Sequence, residues 1–371
     1  MKAANILIIK NMHLGDVLLL GPLISCLKAR DPACRISVLV KEETRTMLEG
    51  HPHVDEVISI PKRLPTETKT VWIMRHIRWW RDLRARRFDW TINTTKGDRG
   101  VIAGFLSGAR RRSGWSTVKG EKFWRKPLIT DPVVKTPGRR HMVIRNLDTV
   151  AGLRGDDGCR QVRMAFSDAD AAMVDAALTA GGWDGKKMLV QVHPTSRWMF
   201  KCWTDQGMAE AIDHIQERGF QVVVTAGPAQ RELEKNRAIL ALCRSRPIDL
   251  GGRLSLKALA ALTARCSLFF GIDTAPMHMA AAMGIPVVAL FGPSAAFIWG
   301  PWPNGWQGED TPYPKQCGVQ TAGSHITIQM ELDCVPCAGD GCDGSKKSDC
   351  LDNLTFEKVL PHLSQALNRC G

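Results

Sequence analysis

The chain has 371 residues, 44% of them hydrophobic, and its 50 Lys and Arg against 37 Asp and Glu give a formal net charge of +13. A chain of this length exceeds what one hydrophobic core usually serves, so we expect two domains. It has no run of about 18 apolar residues, which excludes a membrane-spanning helix. The short N-terminal stretch, charged at Lys10, excludes a signal peptide, so we expect a cytoplasmic protein. The net charge indicates an acidic partner.

Short apolar strands alternate with helices through the first half of the chain, which predicts a mainly parallel sheet in an α/β domain. The predicted strands are 5–10, 36–40, 57–60 and 90–93, and the predicted helices are 15–29, 43–50 and a basic helix within 71–90. The pattern weakens over 116–137, where we predict a basic loop, and a helix is predicted over 141–152.

The segment from Val71 to Trp90 carries much of the early positive charge. Its arginines recur at about three-residue spacing with aromatic and aliphatic side chains between them, and they include Arg75, Arg78, Arg81 and Arg84. This pattern predicts an amphipathic basic helix that can lie in an anionic membrane interface. A solvated basic face with its aromatic side in the core remains open. Nucleic acid is not expected, because no helix-turn-helix, zinc-finger or RNA-binding signature accompanies the charge.

A second series of strands and helices follows a joint near residues 167–186. The predicted strands are 188–192, 221–226, 248–249, 268–271 and 287–291, with helices over 205–217, 232–243, 255–263 and 355–368. We expect 287–291 to be the last strand. This repetition predicts a second α/β domain similar to the first.

One turn in the second half has the features of a ligand site. Asp273 and Thr274 fall at the carboxyl end of the strand predicted at 268–271, and Pro276 falls in the first turn of a helix, where its missing N–H costs nothing. Open α/β sheets bind ligands at the carboxyl ends of their strands, and a helix N-terminus there offers N–H groups to phosphate. An ordinary connection, in which Asp or Thr only caps the helix, remains the alternative.

Three stretches of the sequence resemble glycosyltransferase family 9, the lipopolysaccharide heptosyltransferases. Residues 273–292 resemble the nucleotide-sugar motif, 6–19 the N-terminal strand with its Gly-Asp turn, and 193–203 the central His-x-Thr-Ser/Thr segment with a later Lys-x-Trp. The resemblance implies the GT-B fold, two Rossmann-like domains facing across a cleft. It implies an acceptor-binding domain over 1–167, an ADP-sugar-binding domain over 186–350, and a C-terminal helix in 351–371 that packs back on the first domain.

The resemblance also implies the reaction. It indicates an inverting transferase that moves L-glycero-D-manno-heptose from ADP-heptose to the lipopolysaccharide inner core, with heptose III added to heptose II as the first assignment. The core acceptors of heptosyltransferases I and II remain open, as does a nucleotide-sugar- or polyanion-binding protein without catalysis. The implied partners are ADP-heptose, the lipid A–Kdo–heptose core acceptor and the anionic inner leaflet. We expect a monomer, peripheral on the inner face of the inner membrane.

Residue by residue, the resemblance assigns Asp16 as the general base for the acceptor hydroxyl, with His13 as the second candidate. Without the resemblance, Asp16 would be taken as a helix N-cap. The implied donor-binding residues contact the diphosphate, the ribose or the heptose, with Glu232 a guess for the ribose. They are Thr195, Ser196, Lys201, Glu232, Asp273, Thr274, Ala275, His278 and Gly292. A core histidine is the alternative for His278.

We expect no metal cofactor, because Lys201 can offset the charge of the leaving diphosphate. The Asp168-Ala169-Asp170 sequence follows Ser167 and opens a helix, so these carboxylates are predicted to be capping residues. Twelve cysteines are many for a cytosolic protein, and six scattered ones, Cys26 and Cys159 among them, are predicted to be packed thiols. A loop carries Cys334, Cys337, Cys342 and Cys350. Zinc binding, disulfides and free thiols all remain open for it.

Overall fold

The computed structural model describes residues 3–95, 97–116, 123–134, 138–150 and 158–370. The chain forms two compact units, which we call unit 1 (1–138 and 142–162) and unit 2 (139–141 and 163–371). The first domain was predicted to end at 167, with a joint near residues 167–186. Helix Asp168–Ala180 occupies most of that joint and belongs to unit 2. In the described part of the chain, no helix is long and apolar enough to span a bilayer.

Unit 1 contains a six-stranded parallel sheet with the order β3-β2-β1-β4-β5-β6. The strands at 5–10 and 35–41 are rich in Ile, Leu and Val and are buried over most of their length, as a parallel sheet covered by helices requires. The strands are β1 Asn5–Lys10, β2 Arg35–Lys41, β3 Glu56–Ile60, β4 Trp90–Asn93, β5 Arg111–Ser116 and β6 Asp131–Val134.

Helices connect these strands. They are α1 Leu14–Leu18, α2 Gly21–Arg30, α3 Lys69–Ala85, α4 Asp98–Leu106 and α5 Met142–Asp148, and short 3-10 helices span Glu42–Met47 and Lys126–Leu128. The prediction of a loop over 116–137 is wrong at 131–134, because β6 lies there, paired with β5. Helix α4 was not predicted. Residues 117–122, 135–137 and 151–152, which belong to the predicted loop and helix, lie outside the described residues.

Two cysteines of unit 1 differ from their prediction. Cys26 on α2 and Cys159 are joined by a disulfide bond, whereas both were predicted to be packed free thiols. Their separation of 133 residues explains the error, since no local pattern indicates which cysteines a fold brings together.

Unit 2 contains a seven-stranded sheet with the order β12-β13-β11-β10-β7-β8-β9, parallel except for the β12–β13 pair. The strands are β7 Leu189–His193, β8 Gln221–Val224, β9 Ile248–Asp249, β10 Cys266–Ile272, β11 Val287–Phe291, β12 Gln320–Ala322 and β13 His325–Gln329. The prediction that 287–291 is the last strand is therefore wrong, because β13 extends the sheet beside β11.

The helices of unit 2 alternate with its strands and continue beyond them. They are α6 Asp168–Ala180, α7 Asp205–Glu217, α8 Gln230–Leu242, α9 Leu256–Thr263, α10 Ala275–Ala282, α11 Ala296–Trp299, α12 Asp349–Asp352 and α13 Phe356–Asn368, with 3-10 helices at Met199–Lys201 and Cys342–Gly344. Three of them, α6, α7 and α9, begin at a Ser or Thr whose side chain caps the helix; Thr204, for example, accepts from the Gly207 N–H.

The C-terminal helix corrects another prediction. The buried side chains of α13, including Val359 and Leu363, join the core of unit 2 together with Met208 and Ile212 of α7. Just before α13, the carbonyl of Leu354 accepts a 2.6 Å hydrogen bond from the Trp203 indole. The helix was expected to pack back on the first domain. Its apolar face shows that it must bury surface, but it does not say against which sheet.

Candidate active site

In unit 2 the strand order places a topological switch point between β7 and β10. Successive strands run outward from β7 to β8 and β9 on one side, and the chain then crosses to β10 on the other. Ligands of open α/β sheets bind outside the carboxyl ends of the strands at such a point. The predicted donor residues 195–196 and 273–275 come just after β7 and β10, so the fold brings them to this edge.

An ion pair joins the two sides of the switch point. The Lys201 ammonium lies 2.6 Å from a carboxylate oxygen of Asp273, and the Asp273 side chain is only 6% exposed, whereas that of Lys201 is 23% exposed. Buried Asp273 thus holds a cation that solvent, and hence a ligand, can still reach. Both residues were predicted as donor-binding, but their pairing was not.

The environment of Asp273 keeps it ionised. Burial alone would raise the pKa of Asp273, but the charge and hydrogen bond of Lys201, a hydrogen bond with Ser294 and the charge of His278 together bring it below its ordinary value. His278 lies on α10 and is itself buried. The ionised Asp273 carboxylate therefore holds the Lys201 side chain in place at the switch point.

A second polar cluster lies beside the first. Thr195 is fully buried and its hydroxyl donates to a carboxylate oxygen of Glu232 at 3.2 Å. A Cβ added to Gly227 would lie 2.5 Å from that carboxylate, so the glycine is needed for Glu232 to sit against the turn after β8. The structure gives the Thr195 hydroxyl a partner inside the protein, and Ser196 accepts from the Trp198 N–H at 3.1 Å.

His193 was not predicted as a site residue, although it heads the quoted His-x-Thr motif. It ends β7, is 4% exposed, and its Nδ1 lies 2.9 Å from the Thr225 hydroxyl. Burial lowers the pKa of His193 to about 4, against a smaller opposing effect of the Thr195 backbone. The neutral His193 imidazole therefore pairs with the Thr225 hydroxyl and fixes the end of β7, two residues before Thr195.

Helix α10 begins directly at the switch point. Its N-cap is Thr274, with Pro276 in the first turn, and the Thr274 hydroxyl bonds backward to the Ile272 carbonyl at 3.3 Å instead of capping the helix. The amides that begin the helix at Ala275 therefore have no side-chain cap. This favours the prediction of a phosphate-binding terminus over the alternative of a side-chain cap.

Gly292 is needed for a reason that the sequence analysis did not give. It was expected to allow close approach of a ligand, but a Cβ at this position would lie 2.6 Å from a Leu351 methyl group and 3.7 Å from the Cys350 sulfur. Both neighbours are buried in unit 2. The glycine therefore permits close packing of the turn after β11 on the segment that carries α12.

In unit 1, Asp16 lies at the carboxyl end of β1, beside the switch between β1 and β4. The N-cap of α1 is His13, which is exposed, so the alternative that Asp16 is the N-cap is wrong. The Asp16 carboxylate instead lies 3.6 Å from the Lys10 ammonium, with side chains 7% and 2% exposed. Lys10 also donates to Asn146 Oδ1 at 3.2 Å.

Buried Lys10 was missed by the sequence analysis, and no local signal marks it. Burial lowers the pKa of Lys10, and the charge and hydrogen bond of Asp16 partly offset that effect. The partner that fixes the amine, Asn146, is 136 residues away in sequence. The two side chains are shielded from water, so their opposite charges replace the hydration that each loses on burial.

The structure shows what surrounds the carboxylates and thiols that were considered for metal binding. Asp170 forms a reciprocal capping box with Ser167, as predicted. Cys334 and Cys337 are exposed free thiols, and burial raises the pKa of Cys350 to about 11. Within the ranges that the structure describes, no three His, Cys, Asp or Glu side chains are grouped so that they could hold a metal ion.

Comparison with known proteins agrees with this architecture. The model of glycosyltransferase family 9 (heptosyltransferase) matches residues 76–311. Lipopolysaccharide heptosyltransferase 3 of Escherichia coli K12 is 32% identical over 324 residues, 85% of this chain and 91% of the relative.

Two solved structures share the fold. A family 9 glycosyltransferase of Veillonella parvula superposes with a TM-score of 0.77 at 21% identity, covering 100% of this chain and 99% of that one. Escherichia coli heptosyltransferase WaaC, solved with ADP-2-deoxy-2-fluoro heptose, gives 0.64 at 18% identity, covering 97% and 99%. The predicted GT-B fold of two Rossmann-like domains is confirmed, and the chain belongs to glycosyltransferase family 9, the heptosyltransferases.

Proposed function

We propose that this glycosyltransferase moves L-glycero-D-manno-heptose from ADP-heptose to the lipopolysaccharide inner core, adding heptose III to heptose II. The observation that carries the proposal is the Lys201–Asp273 pair at the switch point of unit 2, where a partly accessible cation is fixed on a buried carboxylate. The 32% identity to a lipopolysaccharide heptosyltransferase 3 supports the choice of acceptor.

Unit 2 binds the donor in this proposal. Lys201 and the amides at Thr274 and Ala275 neutralise the diphosphate, and the charge that develops on ADP as it leaves is stabilised by the same groups. Asp273 and His278 contact the heptose hydroxyls. The Ser196 hydroxyl donates to the diphosphate, and Glu232, held by Thr195, accepts hydrogen bonds from the ribose. Gly292 shapes the site indirectly, through the packing of its turn.

Unit 1 supplies the base and binds the acceptor. The acceptor hydroxyl attacks the anomeric carbon of the heptose opposite the leaving ADP, so one C–O bond forms as the other breaks and the configuration inverts. The hydroxyl proton passes to Asp16. A carboxylate is a weak base toward a sugar hydroxyl, so proton transfer accompanies the attack. His13 is the second candidate for the base.

We also propose that the enzyme needs no metal, acts as a monomer and meets the acceptor or the membrane through α3. No metal ion takes part in transfer, because Lys201 supplies the positive charge and Asp170 is engaged as a helix cap. The enzyme acts as a monomer, peripheral on the inner face of the inner membrane. The basic helix α3 faces the acceptor or the membrane through its arginines, but Arg75 is also bonded within the protein, to Glu67 at 2.8 Å.

The experiment that tests this function follows ADP release from ADP-heptose with a panel of core acceptors carrying one or two heptoses. We expect release with the two-heptose acceptor and little with the others. Release with only a shorter acceptor would assign the enzyme to an earlier core heptose. ADP binding without release on any acceptor would favour the alternative of a nucleotide-sugar-binding protein.

A further inference from the structure

Helix α3 packs on unit 1 through its large aromatic side chains. Leu83 is fully buried, and Trp79 and Trp80 pack against the same core as Ile9 and Leu39. Trp72 stacks on His76 with ring centroids 4.4 Å apart. Trp79, Trp80 and Leu83 therefore anchor one side of the helix on the core of unit 1.

The opposite side of α3 carries apolar residues that the protein does not cover. Val71, Met74 and Ile77 are 49%, 57% and 55% exposed. They recur three residues apart, which places them on one helix surface. Large apolar side chains gathered in one patch on a protein surface mark a site of interaction with another molecule or a membrane.

Arginines share that surface. Arg78 and Arg81 are exposed and follow Val71 and Met74 by seven residues, two helical turns further along the same side. Among the residues that the structure describes, neither has an ion-pair partner. A shallow groove of about 420 Å³ is lined by Met74, Ile77, Arg78, Arg81 and Asp82. We define the outer face of α3 as Val71, Met74, Ile77, Arg78 and Arg81.

We propose that the outer face of α3 inserts into the interface of an anionic lipid bilayer. Val71, Met74 and Ile77 enter the boundary between headgroups and acyl chains, and Arg78 and Arg81 pair with lipid phosphates. Charge complementarity favours a membrane as the partner. The outer face combines aliphatic side chains with cations, and an anionic membrane interface offers acyl chains and lipid phosphates next to each other. The inference deepens the proposed function by naming the surface on which the enzyme meets its lipid-linked acceptor.

The test measures co-sedimentation of the full-length protein with vesicles of phosphatidylglycerol and phosphatidylcholine, and with pure phosphatidylcholine. We expect binding to the anionic vesicles, weakened by salt. The Arg78→Gln/Arg81→Gln variant should bind more weakly by about fivefold per arginine. The control Arg30→Gln/Arg35→Gln, which removes equal charge from exposed positions of the same unit, should bind as the parent does.

The apolar contribution is tested separately. Met74→Ser/Ile77→Ser should reduce binding roughly tenfold, whereas Met173→Ser, at a methionine 54% exposed on α6, should not change it. The circular dichroism and melting temperature of each variant show whether it is folded. Turnover of Met74→Ser/Ile77→Ser on a soluble, deacylated core acceptor should equal that of the parent.

Three outcomes would overturn the proposal. They are a parent that does not bind anionic vesicles, α3 variants that bind them as the parent does, and full competition by the soluble phosphorylated core saccharide, which would assign the face to the acceptor. Failure of the proposed function looks different, since vesicle binding would remain while no acceptor gave ADP release.

Discussion

Replacing Asp16 by Asn separates catalysis from folding in unit 1. The amide has nearly the same shape as the carboxylate but cannot take the hydroxyl proton. Turnover should fall on the order of 10²–10⁴-fold, with ADP-heptose binding nearly unchanged. The assay is ADP release together with calorimetric titration of the donor. The exposed carboxylate of Asp82, changed to Asn in the same way, provides the control.

The same variant has a stability signature that follows from buried Lys10. Breaking a buried ion pair by removing one partner costs about 3–5 kcal/mol if the remaining charge persists. Burial already lowers the pKa of Lys10, and removing Asp16 removes the group that raises it. We therefore expect Lys10 to lose its proton in the folded variant, so that the loss of stability depends on pH.

The sign of the pH dependence follows from this loss. Unfolded Lys10 regains its ordinary pKa and binds a proton that the folded variant does not bind, so the free energy of unfolding rises with pH until the unfolded side chain also loses its proton near pH 10.4. The limiting slope for one proton is about 1.4 kcal/mol per pH unit. Urea unfolding at pH 7, 8 and 9 should show a steeper rise for Asp16→Asn than for the parent.

Two results would refute this reasoning. Turnover above about a tenth of the parental value would remove Asp16 as the base and promote His13. Equal pH slopes for variant and parent would show that Lys10 does not depend on Asp16 for its charge.

Lys201→Ala should weaken ADP-heptose binding and slow transfer together, as calorimetry and ADP release can show, because it also leaves buried Asp273 unpaired. Gly292→Ala should lower the free energy of unfolding by about 1–3 kcal/mol in urea, since its Cβ would lie 2.6 Å from fully buried Leu351. His193, with a pKa of about 4 when folded and 6.5 ordinarily, should make the parent lose stability as pH falls from 6.5 toward 4; His193→Gln should flatten that dependence. EDTA should leave turnover intact, and a strict need for magnesium or manganese would contradict the metal-independent mechanism.

The features that the sequence predicted are those encoded locally. The turn at Asp273 and Thr274 was found because an apolar strand, a proline in the first helical turn and an Ala-rich helix follow one another along the chain. The capping box of Ser167 and Asp170 is likewise local. Strands β5 and β6 were missed because their sequences, RRSGWS and DPVV, are too polar or contain proline.

The features that escaped prediction depend on distant partners. In the sequence, Lys10 is only the polar last residue of a strand. Its role becomes visible in the fold, which brings Asn146 and Asp16 next to its ammonium group. The apolar face of α13 was visible, but its packing against α7 was not. Likewise the spacing of α3 predicted an amphipathic helix, but only the fold shows that its tryptophans face the core and its aliphatic residues face outward.

The most direct test of the central claim is analysis of the product. Purified enzyme is incubated with ADP-heptose and a core acceptor that carries two heptoses, and the acceptor is then examined by mass spectrometry and NMR. The account predicts that each ADP released corresponds to one heptose residue gained, joined in the anomeric configuration opposite to that of the donor. ADP release without any gain in acceptor mass, or a product that retains the donor configuration, would contradict it.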